Sequence, residues 1–206
     1  MQLRRQRGDT LIEVLFAFSI LSLVIVGAMT IMNQGSIASQ RALETTLVRE
    51  QIDAQSTTLR FLHDAYVAKF QPGISYATDT PAGQWATMTS SLTATTASPF
   101  GSITTCPTPP SGSFILNPAT GEYEPVGTKL KQSVTFSQLT FDSQTGQILQ
   151  EAQGIWIEGI RSQSNGNTNQ NNTRYIDFHI RACWENPGQG PPMTIGTIVR
   201  LYEPRG

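Results

Sequence analysis

The chain has 206 residues, 14 Lys or Arg against 15 Asp or Glu, and a formal charge of −1. Near-neutrality excludes a generally basic, phosphate-seeking surface, and two cysteines exclude a thiol-rich metal cluster or a disulfide-dense scaffold. Charged residues make up 14% of the sequence, well under the roughly 25% of an average soluble domain, and the Ser, Thr, Asn, Gln and Gly that replace them suit an extracellular fibre component.

The first eight residues form a basic leader, with Arg4, Arg5 and Arg7 and no acid. Asp9-Thr10-Leu11-Ile12-Glu13 follows without a spacer, and then an uncharged apolar run from Val14 to Met32. About 20 apolar residues at roughly 1.5 Å each cross the hydrocarbon core of a bilayer, so this run is long enough to span one. The basic flank predicts a cytoplasmic N-terminus and sends everything after Met32 outward. In an ordinary secretory signal the cleavage site follows the apolar region. Here the small residue at the boundary, Gly8, precedes it, and a cut there leaves the helix on the mature chain.

Gly8 and the run Thr10-Leu11-Ile12-Glu13 resemble the class III leader of type IV prepilins and pseudopilins, in which a membrane aspartyl peptidase cuts after Gly. The resemblance implies cleavage between Gly8 and Asp9. It also implies that Glu13, the fifth mature residue, pairs with the freed amine of Asp9 on a neighbouring subunit and draws new subunits into register. An unpaired acid near the end of a membrane helix costs up to about 2.5–3.5 kcal/mol on the insertion scale, so Glu13 requires a partner. The family's first mature residue is usually Phe or Met. Asp9 departs from that and sets a second acid beside Glu13. Glu13-Val14-Leu15-Phe16-Ala17-Phe18-Ser19-Ile20-Leu21 is similar to the corresponding stretch of minor pilins and minor pseudopilins.

Removing the leader's three arginines moves the charge from −1 to −4. The remainder divides into a membrane-spanning or filament-core helix over 9–35, an amphipathic stalk helix over 36–71, a Ser/Thr/Pro-rich connecting loop over 72–113 and a β-sheet head over 114–206. In the stalk, Val48, Ile52, Leu59, Leu62, Tyr66 and Phe70 recur at helical spacing and form one apolar stripe. Pro72-Gly73 ends the helix. Strands are expected at Phe114–Leu116, Tyr123–Val126, Ser133–Phe141, Gln147–Gln150, Ile155–Arg161, Arg174–Trp184 and Met193–Tyr202. Between Tyr175 and Trp184 the even-numbered residues are apolar and predict the face toward the stalk, with the odd-numbered residues facing outward. The fold class is therefore α+β, a long N-terminal helix on an antiparallel sheet, which is also the type IV pilin-like fold that the resemblance implies.

Cys106 and Cys183 lie in the exported part without metal-ligand spacing. A disulfide between them fits an oxidising compartment and would pin the loop across the outer face of the sheet; two buried free thiols are the alternative. No catalytic motif surrounds His63 or His179, and no metal or cofactor is expected. Residues 162–173 contain no carboxylate, which argues against a calcium site. Asn165, Asn167, Asn169 and Asn171 make this segment a candidate contact loop for a glycan or a neighbouring subunit, the alternative being an unstructured hairpin tip. Arg161, Arg181 and Arg200 fall on three successive strands and, with Tyr202 and Trp156 for stacking, form a candidate for nucleic-acid capture; the alternative is that they are sheet-surface residues paired with neighbours such as Asp177 and Glu158.

These readings converge on a structural subunit rather than an enzyme. The resemblance implies a minor pilin of a type IV pilus, acting in initiation or at the tip. Its implied partners are the prepilin peptidase, the major pilin and other minor pilins, the inner-membrane assembly platform, and membrane lipid before assembly. The alternatives are a minor pseudopilin of a type II secretion system and a DNA-uptake pilus component.

Overall fold

The structure, a computed structural model, describes residues 11–94, 96–100, 104–126, 130–133, 135–141, 148–162, 174–188 and 190–204. Its elements are α1 (Leu11–Lys69), α2 (Pro81–Ser90), β1 (Phe114–Leu116), β2 (Tyr123–Pro125), β3 (Leu130–Lys131), β4 (Gln138–Phe141), β5 (Ile148–Gln153), β6 (Ile155–Arg161), β7 (Tyr175–Trp184) and β8 (Met193–Tyr202). They fall into two compact units, divided between Ala42 and Leu43.

The first unit holds the N-terminal part of α1. The second is the head, built on a five-stranded sheet of order β2-β1-β6-β7-β8 in which every neighbouring pair is antiparallel. The head thus has the expected α+β arrangement, with α1 packed on an antiparallel sheet.

Five of the six residues of the expected stripe form the contact, while the sixth, Phe70, lies just past the end of α1 with its ring against Tyr66. Val48, Ile52, Leu59 and Leu62 are buried and Tyr66 packs against the same core. Opposite them lie Ile176, Phe178, Ile180, Ala182 and Trp184, all buried, which is the face that the alternation of β7 predicts. Two polar contacts set the axial position of the helix on the sheet. Trp184 donates its indole N–H to Glu44 Oε2 at 3.0 Å, and Gln55 grips Leu116 twice. The Gln55 amide donates to the Leu116 carbonyl at 2.7 Å while its Oε1 accepts the Leu116 N–H at 2.9 Å. β1 meets β6 only at Phe114–Ile157, so this side chain supplies the strand partner that Leu116 lacks and spares a buried peptide its desolvation cost.

Segment 72–113, expected as a connecting loop, contains α2. Thr80 caps it by accepting the Gly83 N–H, and Pro81 occupies the first turn, where a missing donor costs nothing. Ala82, Trp85, Met88 and Leu92 are buried, and their helical spacing is diluted in the sequence by Ser and Thr. Trp85 meets Phe178 edge-on at 5.6 Å and His63 at 5.1 Å, so α2 closes the core over the same sheet face as α1.

A second sheet, of order β3-β5-β4, adds to the single antiparallel sheet expected, and its β3–β5 pair is parallel. Here the expected strands contract or shift, to Gln138–Phe141 and Ile148–Gln153. Gly154 turns the chain from this sheet into β6 at φ +63, a backbone region that favours glycine. A Cβ there would run into the Cys183 carbonyl, whose residue donates its N–H to Gly154 O at 2.8 Å.

Candidate functional site

Two regions carry chemistry beyond packing: the apolar end of α1 and the outer face of the head sheet.

Between Leu11 and Met32 the sole charged residue is Glu13, in the first turn of α1, where an acid complements the helix dipole. An 18-residue stretch of α1 reaches a mean hydropathy of 2.5, and none of it is buried within the chain. Phe16, Phe18, Ile20, Leu23, Val24, Val26 and Ile31 are all exposed, on every side of the helix. A helix apolar all round is stable only in lipid or among other apolar helices. The hydroxyls in this stretch fit such surroundings. Ser19, Ser22 and Thr30 donate to the carbonyls four residues earlier, of Leu15, Phe18 and Val26, at 2.8, 2.8 and 2.9 Å, so none needs water. Gly8 and Asp9, at the expected cleavage site, lie outside the described residues, as do Asn165, Asn167, Asn169 and Asn171 of the expected contact loop.

On the head, Cys106 and Cys183 are joined by a disulfide, with Cα atoms 5.6 Å apart. Cys183 is on the outer face of β7, so the bond ties the segment before β1 across that face. A second tether lies eight residues upstream along this strap, at Ser98. Ser98 donates both its backbone N–H and its hydroxyl to Glu158 Oε1, at 3.1 and 2.7 Å. The other carboxylate oxygen faces Arg181 at 3.1 Å, as an ion pair held by charge rather than by an aligned hydrogen bond. Both residues are buried. The Phe100 ring caps the guanidinium at 4.9 Å and meets Trp156 edge-on at 5.7 Å. The Trp156 indole N–H has no acceptor among the described residues.

This arrangement matches the reading in which the arginines pair with neighbours such as Asp177 and Glu158, and not the reading of three arginines aligned for capture. Arg161 is on the helix side of the sheet, where it donates to Glu203 at 3.0 Å and to the Thr89 carbonyl at 2.8 Å. Arg181 is buried against Glu158. Arg200 makes a bidentate pair with Asp177, both bonds at 2.7 Å, and stacks over Tyr175 at 4.0 Å. Each guanidinium has its own carboxylate, and Trp156 is buried, so the set offers neither net charge nor a stacking platform for a phosphate backbone. Tyr202 alone of the five is exposed without an ionic partner. Strand alternation and three nearby acids carried the signal for these pairs.

His179 sits across from Glu158 on the outer face. Burial, and then the adjacent Arg181 guanidinium, hold its imidazole below the ordinary value against the opposing pull of Glu158 and Asp177. The Arg200 hydrogen bonds likewise hold Asp177 below the usual carboxylate range. For a histidine lowered on folding, the unfolded chain binds more protons, so its contribution is complete above the unfolded value of about 6.5 and is lost as pH falls from there through the folded value. We expect the urea midpoint of the head transition to drop between pH 7.5 and pH 5, and His179→Gln to flatten that drop. An unchanged slope in the variant would place the titration elsewhere. The Asp177 contribution is lost only at lower pH, below the unfolded carboxylate value of about 3.9.

His63 joins α1 to the end of β8, its Nε2–H donating to the Tyr202 carbonyl at 2.9 Å with Asp64 beside Nδ1 at 3.2 Å. No nucleophile lies against either histidine in these contacts. Among the described residues no group of three or more His, Cys, Asp or Glu could hold a metal ion.

Comparison with curated proteins and with solved structures returned no match for this chain. A family model does match its N-terminus: residues 3–29 carry the prokaryotic N-terminal methylation motif, the class III signal peptide of type IV pilins and pseudopilins.

Proposed function

We propose that the chain is a minor pilin, a structural subunit cut after Gly8, held in the membrane by α1 and then polymerised through it into a type IV pilus that it initiates or tips. The observation that carries this reading is the combination of the methylation motif with a helix start, Leu11 to Met32, whose apolar surface is exposed on every side and whose sole charge is Glu13. In the membrane that surface meets lipid; in a filament it meets the same helix of other subunits, with the i−4 hydroxyl bonds permitting close contact. Glu13 pairs with the freed amine of Asp9 on the neighbouring subunit, which neutralises a costly charge only at one axial offset and so fixes register. The prepilin peptidase, the assembly platform, the major pilin and the other minor pilins are the partners this requires.

The test is mass spectrometry of sheared filaments against membranes, read for the N-terminal peptide and for the ratio of this chain to the most abundant pilin. The expected result is a peptide beginning at Asp9, present in filaments at a small fraction of the major subunit. Gly8→Val should leave the chain uncut and confined to membranes. A wild-type chain that keeps its leader beside an active peptidase, and never enters filaments, would refute the proposal.

A further inference from the structure

We propose that β8 is a self-pairing edge, through which the heads of two copies approaching from opposite directions join their sheets. The hydrogen-bond parity of the ladder sets which groups are open. Glu203 donates its N–H to the Arg174 carbonyl at 2.9 Å, one step beyond the Tyr175–Tyr202 pair. Antiparallel pairs alternate between bonded and non-bonded, so the odd-numbered residues of β8 bond β7. The even-numbered ones, Thr194, Gly196, Ile198, Arg200 and Tyr202, turn N–H and C=O away from the sheet. The partner strand agrees, since Cys183 N–H and the Tyr175 carbonyl, both odd on β7, are bonded to the β6 side. Tyr202 agrees too, because its outward carbonyl is the one that His63 meets.

From Thr194 to Arg200 this edge has no proline, no lysine and no bulge in its ten-residue ladder, and its one charged side chain, Arg200, is engaged by Asp177. Ile198, at its centre, is 60% exposed. The opposite edge is closed. On β2 the outward positions are Tyr123, whose N–H is taken by Gln84 Oε1 at 3.0 Å, and Pro125, which has no N–H. A sheet with one open and one blocked edge cannot grow head to tail. It can add one strand, and a second copy satisfies that by a two-fold operation that uses the open edge twice and closes.

The strand is self-complementary in an antiparallel register centred on Ile198. There Ile198 faces Ile198 of the second copy, Arg200 faces Gly196, and no like charges meet, since the one charge on the edge is already held by Asp177. The outer-face side chains of the pair bring the two exposed isoleucines together and remove them from water.

The orientation has a consequence. Glu44 contacts Trp184, which is opposite Met193 at the start of β8, and His63 contacts Tyr202 at its end, so α1 runs through the head in the same sense as β8. The two-fold reverses both. Two heads whose α1 segments point the same way cannot form the pair. On the minor-pilin reading, subunits of one filament share a polarity, so β8 pairing joins subunits of two opposed filaments or cells; the pairing itself does not depend on that reading.

The experiment uses the full chain in detergent. Ile198→Cys should give a disulfide-linked dimer on mild oxidation, seen at twice the mass of 22.5 kDa. Ile198→Pro removes an outward N–H without touching the β7 ladder, and the two bonds lost per dimer should weaken it on the order of thirtyfold in sedimentation equilibrium. Ile198→Lys and Ile198→Glu should each be monomeric alone and pair when mixed. Dimerisation through α1 would leave all the Ile198 variants like wild type and overturn the proposal, as would a wild-type chain monomeric at about 100 μM. Either failure leaves processing at Gly8 and entry into filaments to be judged by their own test.

Discussion

Glu158→Ala is expected to destabilise the head by about 3–5 kcal/mol, the range for removing one partner of a buried ion pair. Glu158 and Arg181 are 4% and 5% exposed. Truncating the acid leaves a guanidinium with a phenyl ring above it and without its ion-pair partner, the other acid on that face of β7, Asp177, being held by Arg200. It also frees the two donors of Ser98, so one change removes a charge pair and a tether together. For a domain of this size the loss corresponds to a melting temperature lower by roughly 6–20 °C. Glu158→Gln keeps an acceptor for Ser98 and should lie between the alanine variant and wild type. The double variant Glu158→Leu/Arg181→Leu should recover much of the loss, because desolvating both charges cost nearly as much as their attraction returned. Thermal unfolding followed by far-UV circular dichroism distinguishes these outcomes, and an alanine variant within about 1 kcal/mol of wild type would mean that water reaches the pair.

The ion pair also illustrates which parts of this molecule its sequence makes legible. The long helix, the β7 alternation and the bounds of β6 and β8 follow from local period, because each of these elements buries one regular face against a single partner. α2 was harder to read. Its cap and first turn, Thr80-Pro81, are plain signals, but its apolar positions are outnumbered by Ser and Thr, and its helical state is fixed by where Trp85 finds Phe178 and His63. The second sheet depends on β3–β5 pairing between residues more than 20 apart in the chain, which no local pattern specifies. Burial of Arg181 was not legible either. On β7 it occupies a polar, outward position, and it is covered only because the disulfide and Ser98 carry a strap over it. At the N-terminus the reverse holds: the leader motif and Glu13 were readable residue by residue because their chemistry is written in contiguous sequence.

Loss of the Cys106–Cys183 bond is expected to cost about 4.5 kcal/mol in the chain-entropy model for the 77-residue separation. The larger lesson lies in its coupling to Glu158. The disulfide and the Ser98–Glu158 contact hold the same strap at two points, so each raises the effective concentration at which the other forms. With the disulfide gone, the strap dissociates more readily, Ser98 spends less time on Glu158, and water can reach Arg181. Removing Glu158 should then cost less than it does in the oxidised chain. A double-mutant cycle of Cys106→Ser/Cys183→Ser with Glu158→Gln, the milder acid substitution that keeps all four chains folded enough to measure, should show non-additivity above about 0.5 kcal/mol. Additive losses would mean that the two tethers act on separate segments and that Arg181 stays dry without the disulfide. The sign matters as well: a greater cost in the disulfide-free chain would make Ser98–Glu158 the strap's principal anchor and the covalent bond its reserve.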